Sequence, residues 1–99
     1  NLAFAYLTPE ERKVAPALYR ALSDVAAALN GGHASPADLI EQGRQAILRA
    51  GFTSVDYLEL RDTETLAAME GLTRPARLLA AARLGKTRLI DNIAVSPLR

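Results

Sequence analysis

Several groups of side chains in this 99-residue sequence have types and spacings that could do chemistry. Gly85-Lys86-Thr87 matches the tail of a phosphate-cradling loop, in which backbone amides and a lysine hold an anion. Such a loop needs a glycine five residues before Gly85, where this chain has Ala80, and it must open a helix. The residues after Thr87 alternate as a strand instead, so a hairpin turn is the expected role. His33, the single histidine, lies between Gly32 and Ala34 in a linker. It has no second imidazole or thiolate for a metal and no serine-aspartate pairing for nucleophilic catalysis, so a surface linker is expected.

Asp91-Asn92 is more informative. Two consecutive polar residues inside Leu89-Ile90-Asp91-Asn92-Ile93-Ala94 place one of them on whichever side the sheet buries. A buried carboxylate needs a partner, and Arg83 or Arg88 is available, so a structural ion pair is expected there in preference to a ligand contact. Glu10, Glu11, Glu64 and Glu70 are expected to face solvent. No nucleophile, base and oxyanion site assemble, and the reading assigns no catalytic, cofactor-binding or metal-ligating residue.

The near-neutral formal charge of +1 conceals an asymmetry. Residues 54–70 carry one basic and five acidic side chains, whereas residues 71–99 carry six and one. Arg74, Arg77, Arg83, Lys86 and Arg88 lack interleaved aromatics for stacking bases, which argues against nucleic acid. Neighbouring strands of opposite charge that pair with each other explain the pattern.

The elements that must position these groups follow from caps and periodicity. Thr8-Pro9-Glu10-Glu11 combines an N-cap, a first-turn proline and a capping-box glutamate. Val14, Leu18, Ala21, Leu22, Val25 and Leu29 then recur at helical spacing, predicting a helix over 9–29 that Pro16 kinks or locally breaks. Ser35-Pro36-Ala37-Asp38 repeats the start, and Leu39, Ile40, Gly43, Ala46, Ile47 and Ala50 line a second helix capped by Gly51. The short linker makes the two an antiparallel hairpin, with a close crossing at Gly43. The period then falls to two. Residues 55–61 read as a strand, 63–69 as a short helix capped by Asp62 or Thr63, and 77–84 and 87–95 as strands joined by a type II′ turn at Gly85-Lys86. That register sets Leu84 against Thr87, Ala82 against Leu89 and Leu78 against Ile93. Arg83 and Arg88 then lie side by side, which is unfavourable unless a carboxylate or anion shares them. The expected architecture is α+β: two N-terminal helices on a small antiparallel sheet, with a short extra helix, in one domain over 1–99.

Composition bounds the rest. Hydrophobic residues make up 49%, but 19 of them are alanine and 16 leucine, and tryptophan is absent, so the core is thin. A chain this size buries about two-thirds of its unfolded surface and has little room for a deep multi-substrate site. Cysteine is absent, which removes sulfur chemistry and fits a reducing compartment. Apolar runs such as Val25–Leu29 and Leu78–Ala82 are far short of a bilayer span, and residues 1–6 lack the basic start of a secretory signal, so a cytosolic chain is expected.

The residues also carry a resemblance. Val55-Asp56-Tyr57-Leu58-Glu59, and Ala82-Arg83-Leu84-Gly85-Lys86-Thr87-Arg88-Leu89-Ile90-Asp91-Asn92-Ile93, resemble the C-terminal domain of the pantothenate synthetases, the pantoate–β-alanine ligases. Tyr6-Leu7-Thr8-Pro9-Glu10-Glu11-Arg12 and Ala15-Pro16-Ala17-Leu18-Tyr19 resemble the helix that opens that domain. The likeness spans about residues 6–95. It implies a small α+β domain following an N-terminal Rossmann-like domain in a dimeric cytoplasmic ligase. In that family ATP and pantoate give a pantoyl adenylate and pyrophosphate, β-alanine attacks the acyl carbon, and Mg²⁺ accompanies the nucleotide. The family's Ser-Ser-Arg-Asn phosphate motif precedes the Tyr-Leu-Thr-Pro segment, but here that stretch reads Asn1-Leu2-Ala3-Phe4-Ala5, without serine or arginine. The resemblance implies a lid over the nucleotide site that binds no cofactor itself, is inactive when isolated, contacts neither nucleic acid nor membrane, and self-associates once its partner domain is removed. The competing expectation is a free-standing interaction module that shares the fold.

Overall fold

The computed structural model describes residues 6–32 and 34–97; the Asn1–Ala5 stretch and His33 lie outside the described residues. The chain runs α1 (Pro9–Val14), α2 (Pro16–Gly31), α3 (Pro36–Ala50), β1 (Ser54–Asp62), β2 (Ala76–Leu84) and β3 (Thr87–Val95). Helices form one layer and an antiparallel sheet of order β1-β2-β3 the other, the expected α+β arrangement.

The first helix splits where Pro16 falls. Thr8 caps α1 in a reciprocal capping box: its hydroxyl accepts from the Glu11 N–H, and the Glu11 carboxylate accepts from the Thr8 N–H at 2.9 Å. Ala15 keeps a right-handed conformation and donates to the Glu11 carbonyl, but the ring nitrogen of Pro16 has no proton to continue the ladder. The predicted 9–29 helix is therefore two helices, the second ending at Gly31 with Gly32 in the left-handed region (φ 70). Ser35 caps α3 by accepting from the Asp38 N–H, and Gly51 closes it.

Helices α2 and α3 pack against one face of the sheet, and Leu22, Ile47 and Leu78 are fully buried where the layers meet. Between them Gly43 permits a close approach. A Cβ there would stand 2.6 Å from Val25 Cγ2 and 3.1 Å from Leu58 Cδ2, so helix and strand both crowd the site. Strand β2 turns Ala76, Leu78, Ala80, Ala82 and Leu84 toward the helices. These small side chains keep the molecule thin, about 19 Å across its shortest axis.

One expectation, for the segment that follows β1, needs correction. Residues 63–69 do not form the short helix. The Asp62 carboxylate accepts from the N–H groups of Glu64 and Thr65, Leu66 adopts φ 63, and the chain doubles back to bridge Arg61 with Ala68. Asp62 was a suitable N-cap, but its side chain and the left-handed Leu66 close a turn before a second helical turn can form. The strand itself carries a bulge between Val55 and Tyr57.

Candidate functional site

The hairpin between β2 and β3 adopts the predicted register, with Leu84 opposite Thr87, Ala82 opposite Leu89 and Leu78 opposite Ile93. Gly85 takes φ 61 and Lys86 stays outside the left-handed region, as a type II′ turn requires. Arg83 and Arg88 are consequently paired across the strands.

Asp56 of β1 holds those two cations together. Its Oδ2 accepts from Arg88 Nε at 2.8 Å and its Oδ1 from Arg83 Nε at 3.3 Å. The hydrogen bond from Arg88, followed by that from Arg83, holds the Asp56 carboxyl below its ordinary pKa. The bulge explains how the side chain arrives there. By strict alternation Asp56 shares a face with Leu58, Leu60 and Asp62, all of them buried. The extra residue shifts that alternation and turns Asp56 to the opposite face, where the arginines stand.

Tyr6, Lys86, Thr87 and Arg88 line an open cleft of about 610 Å³ at this end of the sheet. Helix α1 supports the turn from behind: a Cβ at Gly85 would overlap the Glu11 carboxylate. Glu11 is thus half-buried against the hairpin, whereas Glu10, Glu64 and Glu70 are exposed as expected. A smaller, more enclosed groove of about 230 Å³ runs between α2 and α3, with Asp24, Gln42 and Arg49 among its lining residues.

Asp91 and Asn92 do not serve Arg83 or Arg88. Asp91 does share its face with Leu89 and Val95, but β3 is an edge strand, so the carboxylate is only half-buried, and it accepts from the Asn92 N–H at 2.8 Å. Asn92 projects from the other face and accepts from Arg77 at 2.8 Å. The carboxylate that is buried is Asp62, which the sequence reading used only as a cap. It accepts from the N–H groups of Thr65 and Glu64 and pairs with Arg74 at 2.6 Å, and these contacts depress its pKa, the backbone donors most. The legible signal was Asp62-Thr63-Glu64-Thr65, an Asx-turn sequence as much as a helix start.

Outside the helix-covered face, the sheet presents Tyr57, Leu79 and Ile90 with the guanidinium groups of Arg61, Arg77, Arg83 and Arg88. Such a surface can bind anions and apolar groups. Among the described residues, no three acidic or imidazole side chains are grouped to hold a metal ion, and none forms a nucleophile-base pair. No helix among them is long and apolar enough to cross a membrane.

With that geometry in place, the comparisons with known proteins are specific. The family model described as pantoate-beta-alanine ligase matches residues 3–94. The pantothenate synthetase of Paramagnetospirillum magneticum is 58% identical over 93 residues, covering 94% of this chain and 32% of that protein. That of Rhodopseudomonas palustris is 52% identical over 91 residues, covering 91% and 31%. The crystal structure of pantothenate synthetase from Thermus thermophilus superposes with a TM-score of 0.82 at 39% identity, over 98% of this chain and 35% of that one. The chain therefore spans about a third of the length of the relatives it matches.

Proposed function

Given that the chain belongs to the pantoate-beta-alanine ligase family, we propose that it is the C-terminal domain of an ATP-dependent ligase that makes pantothenate from pantoate and β-alanine. The observation that carries this reading is the 58% identity maintained over 94% of the chain but only 32% of the relative: a well-matched part of a larger enzyme. In the reaction we assign to the whole enzyme, the pantoate carboxylate attacks the α-phosphorus of ATP and releases pyrophosphate. The amine of β-alanine then adds to the acyl carbon of the adenylate, and AMP leaves.

The role of this domain in that sequence is to close over the nucleotide site as a lid. An acyl adenylate is hydrolysed by water unless water is excluded, so a closing layer favours attack by the amine. The described residues do not fit a metal or nucleotide cradle of their own. The phosphate-loop tail at Gly85-Lys86-Thr87 is a hairpin turn, and no carboxylate set is grouped for Mg²⁺. On this reading ATP and Mg²⁺ are held by an N-terminal, Rossmann-like part of a dimeric cytoplasmic enzyme. The test is direct: the purified 99-residue chain should release no pyrophosphate from ATP and pantoate, while the full-length enzyme does. Enzyme-dependent pyrophosphate release by the chain alone would overturn the reading.

A further inference from the structure

The two long helices end differently. Helix α3 closes on Arg49, a cation in its last turn, and on the Gly51 N–H, which donates to the carbonyls of Ile47 and Leu48. Helix α2 has no basic residue in its last turn, so that turn does not offset the negative end of its own dipole. It also finishes on two glycines, Gly31 within the helix and Gly32 in the left-handed region, and glycine loses more conformational freedom on folding than any other residue. Just before them lies Asn30, whose Oδ1 is buried and accepts no hydrogen bond among the described residues. A buried acceptor without a donor carries an uncompensated desolvation cost, which hydration removes as soon as the backbone opens. All three features favour opening of the same turn, beyond Leu29, the last buried residue of α2.

Asn-Gly is also the dipeptide in which backbone attack on a side-chain amide is least hindered, since Gly31 has no Cβ to screen its nitrogen. In the helical conformation that N–H is engaged by a carbonyl one turn earlier and is turned away from the amide. We infer that Asn30-Gly31 is a site of spontaneous deamidation, released by fraying of the last turn of α2, and that its conversion loosens the α2–α3 hairpin irreversibly. The Gly31 nitrogen gives its proton to solvent base and bonds to Asn30 Cγ. The Cγ–Nδ2 bond then breaks, and the nitrogen leaves as ammonia with a proton from water, closing a cyclic imide. Water adds to either imide carbonyl: opening at Cγ gives aspartate, and opening at the backbone carbonyl gives isoaspartate, in which the chain runs through the side chain. Overall one water is consumed and one ammonia released, with no change of oxidation state. Either product sets a carboxylate in place of the amide, at the negative end of the dipole and partly out of water. Isoaspartate also lengthens the backbone by one carbon, which breaks the helical ladder at that point.

The inference is independent of the ligase reading and is tested on the full-length protein. The protein is held at mildly alkaline pH, sampled over time and cut with trypsin, which releases residues 21–44 with Asn30 as their only asparagine. A synthetic peptide of the same residues times the chemistry without the fold. Mass spectrometry should show Asn30 converting to aspartate and isoaspartate more slowly than in the peptide. Asn92 should keep its amide, because Arg77 holds its Oδ1 and the β-branched Ile93 follows it. Gly31→Ala adds the usual helix-propensity advantage of alanine, which closes the turn by about fivefold, so conversion should slow by about fivefold or more. An Asn30 that stays intact while the peptide converts completely, a rate equal to the peptide's, or an unchanged rate in Gly31→Ala would overturn the inference. Asn30→Asp reads the loosening directly. Its Tm should fall a few degrees below that of the parent, and an equal Tm would refute that part.

Discussion

Asp56 and Arg88 lie on strands that are not neighbours, yet Asp56 Oδ2 and Arg88 Nε are 2.8 Å apart across β2. One carboxylate therefore links all three strands at the hairpin end, because Arg83 of the intervening strand binds its other oxygen. Asp56→Asn should leave the two guanidinium groups directly opposed without a counter-charge. We expect a drop of a few degrees in Tm that shrinks as salt is added, since these side chains are solvent-accessible. A Tm equal to that of the parent at low salt would show that the bridge contributes nothing.

Acid stability should report the same carboxylate together with Asp62. Both have folded-state pKa values below the ordinary 3.8, Asp56 through Arg88 and then Arg83, Asp62 through the N–H groups of Thr65 and Glu64. A depressed folded pKa means that the unfolded chain binds the proton first. The stabilisation is thus fully present above the ordinary value and is lost as pH falls through the folded values. Urea midpoints should be level from neutrality to about pH 5 and fall toward pH 3. Asp62→Asn should be less stable at neutral pH and should flatten the acid limb.

Gly43→Ala tests how tightly the layers meet. Alanine gains about 1 kcal/mol of helix propensity over glycine. Against this, its Cβ would stand 2.6 Å from Val25 Cγ2, and a β-branched side chain within a helix has little rotamer freedom to withdraw. Overpacking costs about 1–3 kcal/mol, so the net change should be destabilising by up to about 2 kcal/mol. In a Val25→Ala background the same substitution should become neutral or stabilising, a coupling that a double-mutant cycle measures.

Leu66 is an exposed leucine at φ 63, a conformation that L side chains avoid. Asparagine visits this region far more readily. Leu66→Asn should therefore match or exceed the parent in stability, by up to about 1 kcal/mol in chemical denaturation. A clear loss would mean that the leucine side chain contributes packing that its 60% exposure does not suggest.

Much of this was legible before the structure, for identifiable reasons. Gly85-Lys86 specifies a turn whose length pins the register, so Arg83 opposite Arg88 followed from counting. The need for a shared carboxylate followed from the charges, but its identity did not. Alternation assigns Asp56 to the buried face, and only the bulge, which sequence does not mark, brings it to the arginines. The same limit led to Asp91, whose spacing was suitable but whose edge position leaves it half in solvent. At residues 63–69 the side chain of Asp62 chose between two hydrogen-bonding patterns that begin alike, and tertiary pairing with Arg61 favoured the turn. Pro16 was read as a kink or local break; the structure shows the break, because Ala15 is the last residue that can donate along the first ladder.

The run Ala80-Ala81-Ala82, buried on both faces of the central strand, also shapes the calorimetry of the domain. Unfolding exposes a full complement of peptide groups from these positions but few methylenes. Apolar hydration raises the heat capacity of the unfolded chain and polar hydration lowers it, so the increment should fall below the roughly 1.2–1.5 kcal/mol/K usual for about 100 residues. A smaller increment flattens the dependence of stability on temperature. Ala80 and Ala82, which let the helices approach the sheet, and Ala81 on its other face thus give a shallow stability curve, in which cooling below ambient weakens the domain little.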